Sequence, residues 1–154
     1  MSKPTDINQP IIEVLYCEAL VLADDVRQVF DLANLPNEMD EAADLTRLAL
    51  SVEGLRTTTR VMHVLAWLLN QRAYFSGELS EFQLRRHSTL PADRPAEEAN
   101  LIRMEKPTRE LIRETEQLHA RISRLDSAWR DRFEMRPAAV HRLQERLGRS
   151  LAAG

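Results

Sequence analysis

Residues 56–79, RTTTRVMHVLAWLLNQRAYFSGEL, form the most apolar part of the chain and decide its fold. Apolar side chains recur there every three or four residues, which is the spacing of one helix face. The same alternation begins near residue 45 and predicts a single helix over residues 40–75, about 50 Å long. The repeating positions are Leu45, Leu48, Val52, Leu55, Thr59, Met62, Ala66, Leu69 and Ala73.

This helix has two unlike faces. In a helical projection the apolar side chains of residues 61–75 cover an arc of about 200°, which suits a helix that packs against two neighbours. A line of polar and aromatic side chains, the polar stripe, lies opposite. Arg, Trp and Tyr are enriched at binding hot spots, so the stripe is either an interface for a partner or second copy, or simply the solvent face. The polar stripe consists of Arg56, Arg60, His63, Trp67, Asn70 and Tyr74.

Two further segments have the same periodicity. Apolar residues at steps of three and four predict a helix over residues 11–33, with Pro10 in its first turn, and another over residues 107–133. Periods close to 3.5 in three helices predict shallow crossing angles of about 20°. The sequence therefore predicts an all-α fold, an antiparallel three-helix bundle.

The connecting segments are less regular. SEFQ, beginning at residue 80, has capping-box spacing and predicts a short extra helix near residues 80–86. Residues 88–106 contain two prolines and no sustained period, which predicts a long loop and a candidate mobile segment. The tail, residues 134–154, is either an amphipathic helix or a flexible end. Its apolar residues at helical spacing are Val140, Leu143, Leu147 and Leu151.

Composition and charge narrow the class of protein. With 154 residues, 44% of them hydrophobic, the chain is predicted to form one globular domain over residues 1–154. Its net charge of −3 does not favour nucleic-acid binding, and its longest apolar run, VLAWLL, is far shorter than a membrane span. Cys17 has no partner for an internal disulfide, and the N-terminus lacks a signal-peptide pattern. We therefore expect no membrane partner and a cytoplasmic location.

Motifs for chemistry are sparse. Glu116 and His119 have the Glu-x-x-His spacing of di-iron bundles, but a second such pair is missing from the sequence. Phosphate-cradling glycine loops, Gly-x-Ser-x-Gly turns and zinc-type spacings are also missing. We predict a non-enzymatic protein with no catalytic residue, cofactor or metal. The alternative is a helical metal-binding protein or small enzyme that uses Glu116 and His119.

Three stretches together resemble the alphaproteobacterial family of the regulator of CtrA degradation. They are IIEVLYCEALVLADDVRQVFD, LALSVEGLRTTTRVMHVLAWLLNQRAYFSGEL and LIRETEQLHARISRLDSAWRD. Most of the likeness lies in SVEGLRTTTRVMHVLAWLLNQRA, where a Ser-x-Glu-x-Leu-Arg-x-Thr-x-Arg run passes into an apolar core. The resemblance covers residues 10–133.

The resemblance implies a dimeric three-helix bundle without catalytic residues. It implies an adaptor that works with a response-regulator-like priming protein and helps deliver substrates, such as cell-cycle transcription factors, to the ClpXP protease. It also implies a cytoplasmic protein recruited to a cell pole, with a C-terminal tail that contributes to delivery. A structural dimerising bundle with no protease role is the alternative.

Overall fold

The computed structural model describes residues 8–31 and 40–152, except for the side chains of residues 133–140. These ranges contain helices and connecting segments but no strand, which confirms the all-α prediction for the described part of the chain. The helices are α1 (Gln9–Val29), α2 (Glu41–Phe75), α3 (Glu81–His87), α4 (Glu98–Leu101) and α5 (Lys106–Ala152).

Local sequence signals account for several helix ends. The side chain of Asn8 accepts a hydrogen bond from the Ile11 backbone N–H, and Pro10 lies in the first turn of α1. Ser80 and Gln83 form the predicted capping box at the start of α3. α1 ends at Val29, before the predicted boundary at residue 33, and the residues beyond 31 lie outside the described ranges.

The main apolar core lies where α1, α2 and α5 meet. α1 is antiparallel to α2, because Arg72 donates to Glu13 near one end of the pair and Phe30 packs on Gly54 near the other. The buried apolar residues of this core are Ile12, Leu15, Ala19, Leu22, Val26, Val61, Val64, Trp67, Leu68, Leu111, Leu118 and Ile122.

α5, however, runs parallel to α2. Arg60 of α2 donates a hydrogen bond to Thr115 of α5. Further towards the C-terminal ends of both helices, Trp67 donates to Asp126. The predicted antiparallel order is therefore wrong for the last helix. The reason lies in residues 88–97, here called the return segment, which carry the chain back along α2 before α5 begins.

The return segment corrects the prediction of a mobile loop over residues 88–106. Its backbone is neither helix nor strand and is held by hydrogen bonds to α2 and α5. α4 follows it, and Leu101 and Met104 are buried against the beginnings of α2 and α5. These contacts make the segment part of the folded core.

The predicted end of the last helix at residue 133 is also wrong. The backbone of α5 stays helical past Pro137 and through Ala152, so the helix has 47 residues and is about 70 Å long. Of the two alternatives predicted for the tail, a helix or a flexible end, the structure has the helix as far as Ala152. Residues 141–152, here called the C-terminal arm, are exposed at every described position.

Gly54 allows α1 and α2 to approach closely. A Cβ added there would lie 2.9 Å from the Phe30 ring atom Cδ1. We predict that Gly54→Val lowers the free energy of unfolding by about 1–3 kcal/mol, because the added atoms overpack this contact. Urea unfolding followed by circular dichroism measures the change.

Two further variants test the cause. Gly148→Val is the matched control, since a Cβ at that position meets no atom within 4 Å. When Phe30→Ala is combined with Gly54→Val, it should restore part of the stability lost in Gly54→Val, because it removes the clashing ring. Equal losses in the two glycine variants would contradict the close-contact explanation.

Candidate functional site

The polar stripe predicted on the outside of α2 lies largely inside the fold. Arg60 and Trp67 are each only 2% exposed. The other four members are half-buried: Arg56, His63, Asn70 and Tyr74. The predicted exposure is therefore wrong for Arg60 and Trp67, and the hydrogen bonds of these two residues explain why. A role of the six side chains in partner binding stays a prediction.

The guanidinium of Arg60 joins α2, α5 and the return segment. Its Nε donates to a carboxylate oxygen of Asp93 at 2.7 Å, and Nη1 donates to the Thr115 hydroxyl at 3.0 Å. Its Nη2 donates to the carbonyl oxygen of Arg94 at 2.9 Å. The planar guanidinium presents donors in fixed directions, so three acceptors from two other elements satisfy it inside the protein.

Trp67 begins a second set of contacts. Its indole N–H donates to Asp126 Oδ1 at 3.0 Å, and the other carboxylate oxygen accepts from Arg130 Nε at 3.2 Å. Arg130 also donates to the carbonyl oxygen of Ser88 and to the Thr89 hydroxyl. The first residues of the return segment are thus attached to α2 through α5.

Glu53 anchors the other end of the return segment. This fully buried carboxylate uses Oε1 to accept hydrogen bonds from Arg56 Nη1, the Glu97 backbone N–H and Asn100 Nδ2, at 2.8–3.2 Å. Arg56 also donates to the side chain of Glu97 at 2.9 Å, and this hydrogen bond, with the negative charges of both glutamates, raises the pKa of Arg56. Arg56, Arg60 and Trp67 of the polar stripe therefore help to hold the return segment in place.

Glu116 and His119 both lie on α5, and His119 contacts the return segment. His119 is buried, and its ring Nε2 lies 3.0 Å from the carbonyl oxygen of Pro91 in the return segment. Glu116 is half-buried. The described part of the chain contains no group of three or more His, Cys, Asp or Glu side chains that could hold a metal ion.

Large apolar side chains lie on the exposed side of α2. Leu48, Leu55, Met62 and Leu69 recur at seven-residue intervals and point away from the core, and Leu55 and Met62 are 71% and 63% exposed. We call these four residues the outer face. The prediction that Met62 and Leu69 pack against neighbouring helices is therefore wrong. α2 is apolar around most of its circumference, but the described part of the chain covers only one side.

A pair of adjoining depressions lies between the outer face and α1. Their volumes are about 380 and 410 Å³, and Phe30 and Thr58 line both of them. Leu55 lines the first, and Met62 and Leu65 line the second. We call the two together the outer groove. Its length along two rigid helices and its apolar lining suit the side chains of another helix.

A comparison with protein families identifies the family of this chain. The family described as a protein of unknown function (DUF1465) matches residues 4–151. The chain belongs to the DUF1465 family. The match includes the return segment, the outer face and most of the C-terminal arm of this DUF1465 protein. Searches of curated proteins and of solved structures found no match. Within residues 8–31 and 40–152, every helix is too short or too polar to cross a membrane.

Burial of Trp67 changes what its substitution should do. We predict that Trp67→Ala lowers the free energy of unfolding by about 3–5 kcal/mol, because it leaves a cavity in the core. It also removes the indole donor from Asp126. Denaturant unfolding measures the loss. Leu69→Ala, on the outer face of the same helix, is the control and should change stability by about 0.5 kcal/mol or less. Similar unfolding midpoints for both variants would contradict the buried position of Trp67.

Proposed function

We propose that this DUF1465 protein is a non-enzymatic adaptor that binds other proteins through the outer face of α2 and the outer groove. The observation that carries the proposal is the exposure of four large apolar side chains at a regular spacing on one helix. Contiguous exposed apolar surface in a soluble domain marks interaction sites more often than scattered apolar residues do.

The inner side of α2 supports this assignment. Arg60 and Glu53 bind the return segment there through three hydrogen bonds. α2 is thereby held in one orientation, and the outer face is presented as a fixed surface. A rigid surface loses little conformational freedom when a partner binds, which favours affinity.

The resemblance to the regulator of CtrA degradation family supplies the partners and the cellular location in this proposal. On this basis the three-helix bundle is a docking platform in the cytoplasm, with recruitment to a cell pole. Its proposed partners are the ClpXP protease, a response-regulator-like priming protein and substrate transcription factors. The outer face is the surface that we assign to one of these contacts.

A pull-down from native cell extract, read by mass spectrometry, tests the proposal. The baits are the wild-type chain, the double variant Leu55→Asp/Met62→Asp, and Val14→Asp. Val14 is the matched control because it is 67% exposed but lies on α1, away from the outer groove. We expect ClpX or a receiver-domain protein with wild type and Val14→Asp, and a loss of at least tenfold with the double variant.

Two results would contradict the proposal. Equal recovery with all three baits would remove the outer face as the binding surface. The absence of every protease component and receiver-domain protein would favour a structural dimerising bundle with no protease role. Far-UV circular dichroism of each bait checks that the substitutions leave the helices intact.

We also propose that the chain forms a homodimer in which the outer face contacts the second copy. A surface repeated at seven-residue intervals can pack against another helix over several turns. Light scattering at tens of micromolar should give twice the 17.7 kDa chain mass for wild type and for Val14→Asp. Met62→Asp should give the mass of one chain, because a carboxylate would be buried without a partner. A monomeric wild type would rule out the homodimer.

A further inference from the structure

The C-terminal arm carries an apolar line without a packing partner among the residues that the structure describes. Leu143, Leu147 and Leu151 share one side of the helix and are 57%, 60% and 82% exposed. Arg149 forms an ion pair with Glu145, and the His141 ring lies 3.4 Å from the same carboxylate, so these contacts lie within the arm itself. Isolated helical segments of this length are only marginally stable in water, so packing of the leucines would stabilise the arm substantially.

The arm cannot reach the outer groove of its own chain. α5 is parallel to α2, and Asp126 is level with Trp67. The arm starts at residue 141, about 22 Å further along the helix axis, and continues away from the bundle. The outer groove lies in the opposite direction, beside Leu55 and Met62. A continuous helix cannot turn back over that distance.

The arm and the groove nevertheless match in shape and charge. Leucines at positions i, i+4 and i+8 are the anchors that a helix uses when it binds an apolar groove. The arm has three arginines and one glutamate, a net charge of 3 − 1 = +2. At the groove the charged side chains are Arg27 and Asp31, which line it, and Asp24, which pairs with Arg27, a net charge of 1 − 2 = −1. Opposite charges favour their association.

We propose that the C-terminal arm of one copy docks in the outer groove of a second copy, and that the exchange is reciprocal. The inference deepens the proposed function, because it names the segment that covers the outer face. In a two-fold symmetric pair each chain gives one arm and receives one, so both exposed leucine lines and both grooves are buried. Another protein that uses the outer face must then displace the arm.

Disulfide cross-linking between differently tagged chains tests the contact directly. Both chains carry Cys17→Ser, because Cys17 is exposed. One chain then receives Leu147→Cys in the arm, and the other receives Thr58→Cys in the groove. We expect a covalent dimer containing both tags after mild oxidation. In the control, Leu147→Cys is mixed with Val14→Cys, and we expect at least tenfold less product. Equal yields, or no product with Thr58→Cys, would overturn the proposal.

Light scattering separates this inference from the proposed function. The variant Leu143→Ser/Leu147→Ser/Leu151→Ser should halve the measured mass of the wild-type pair, as Met62→Asp does. A pair that survives the arm substitutions but is lost in Met62→Asp would show that α2 of the second copy covers the outer face, which overturns arm exchange. Failure of the pull-down with intact cross-linking would contradict only the adaptor function.

Discussion

The structure depends on the burial of one guanidinium, that of Arg60. A buried ion that lacks partners costs several kcal/mol, so the fold must bring acceptors to it. Here they are the carboxylate of Asp93, the carbonyl oxygen of Arg94 and the hydroxyl of Thr115. Two of the three belong to the return segment. A non-helical segment in contact with both α2 and α5 can supply them. The path of the chain after α3 follows from this requirement.

The path of the return segment sets the direction of the last helix. Glu53 holds the end of this segment beside the first half of α2, so α5 starts there and runs parallel to α2. The Trp67, Asp126 and Arg130 contacts hold the other end. The polar side of α2 is consequently covered by the chain itself. The outer face of α2 remains open, although other apolar residues of this helix, such as Val64 and Leu68, are buried in the core. The surface available to other proteins is therefore the outer face and not the polar stripe.

Local signals in the sequence were sufficient for some elements and insufficient for others. The boundaries of α2 and α3 follow from periodicity and from the Ser80 capping box, because both depend on neighbouring residues. The orientation of α2 depends on Arg60 and Asp93, which are 33 residues apart. Periodicity cannot choose the buried side of a helix that is apolar around most of its circumference. The spacing of apolar residues similarly predicted a helix end at residue 133, but the backbone of α5 continues past Pro137.

Arm exchange connects exposure of the outer face to the binding of other proteins. An uncovered apolar surface such as the outer face favours aggregation, and a helix docked on it reduces that risk until a partner binds. In the pair, each arm is tethered to its own bundle, so an arm that leaves its groove remains at high effective concentration and rebinds readily. A partner therefore binds only when its own contacts outweigh those of the leucines and arginines of the arm. This competition would make the docking surface selective among partners that share an apolar helix.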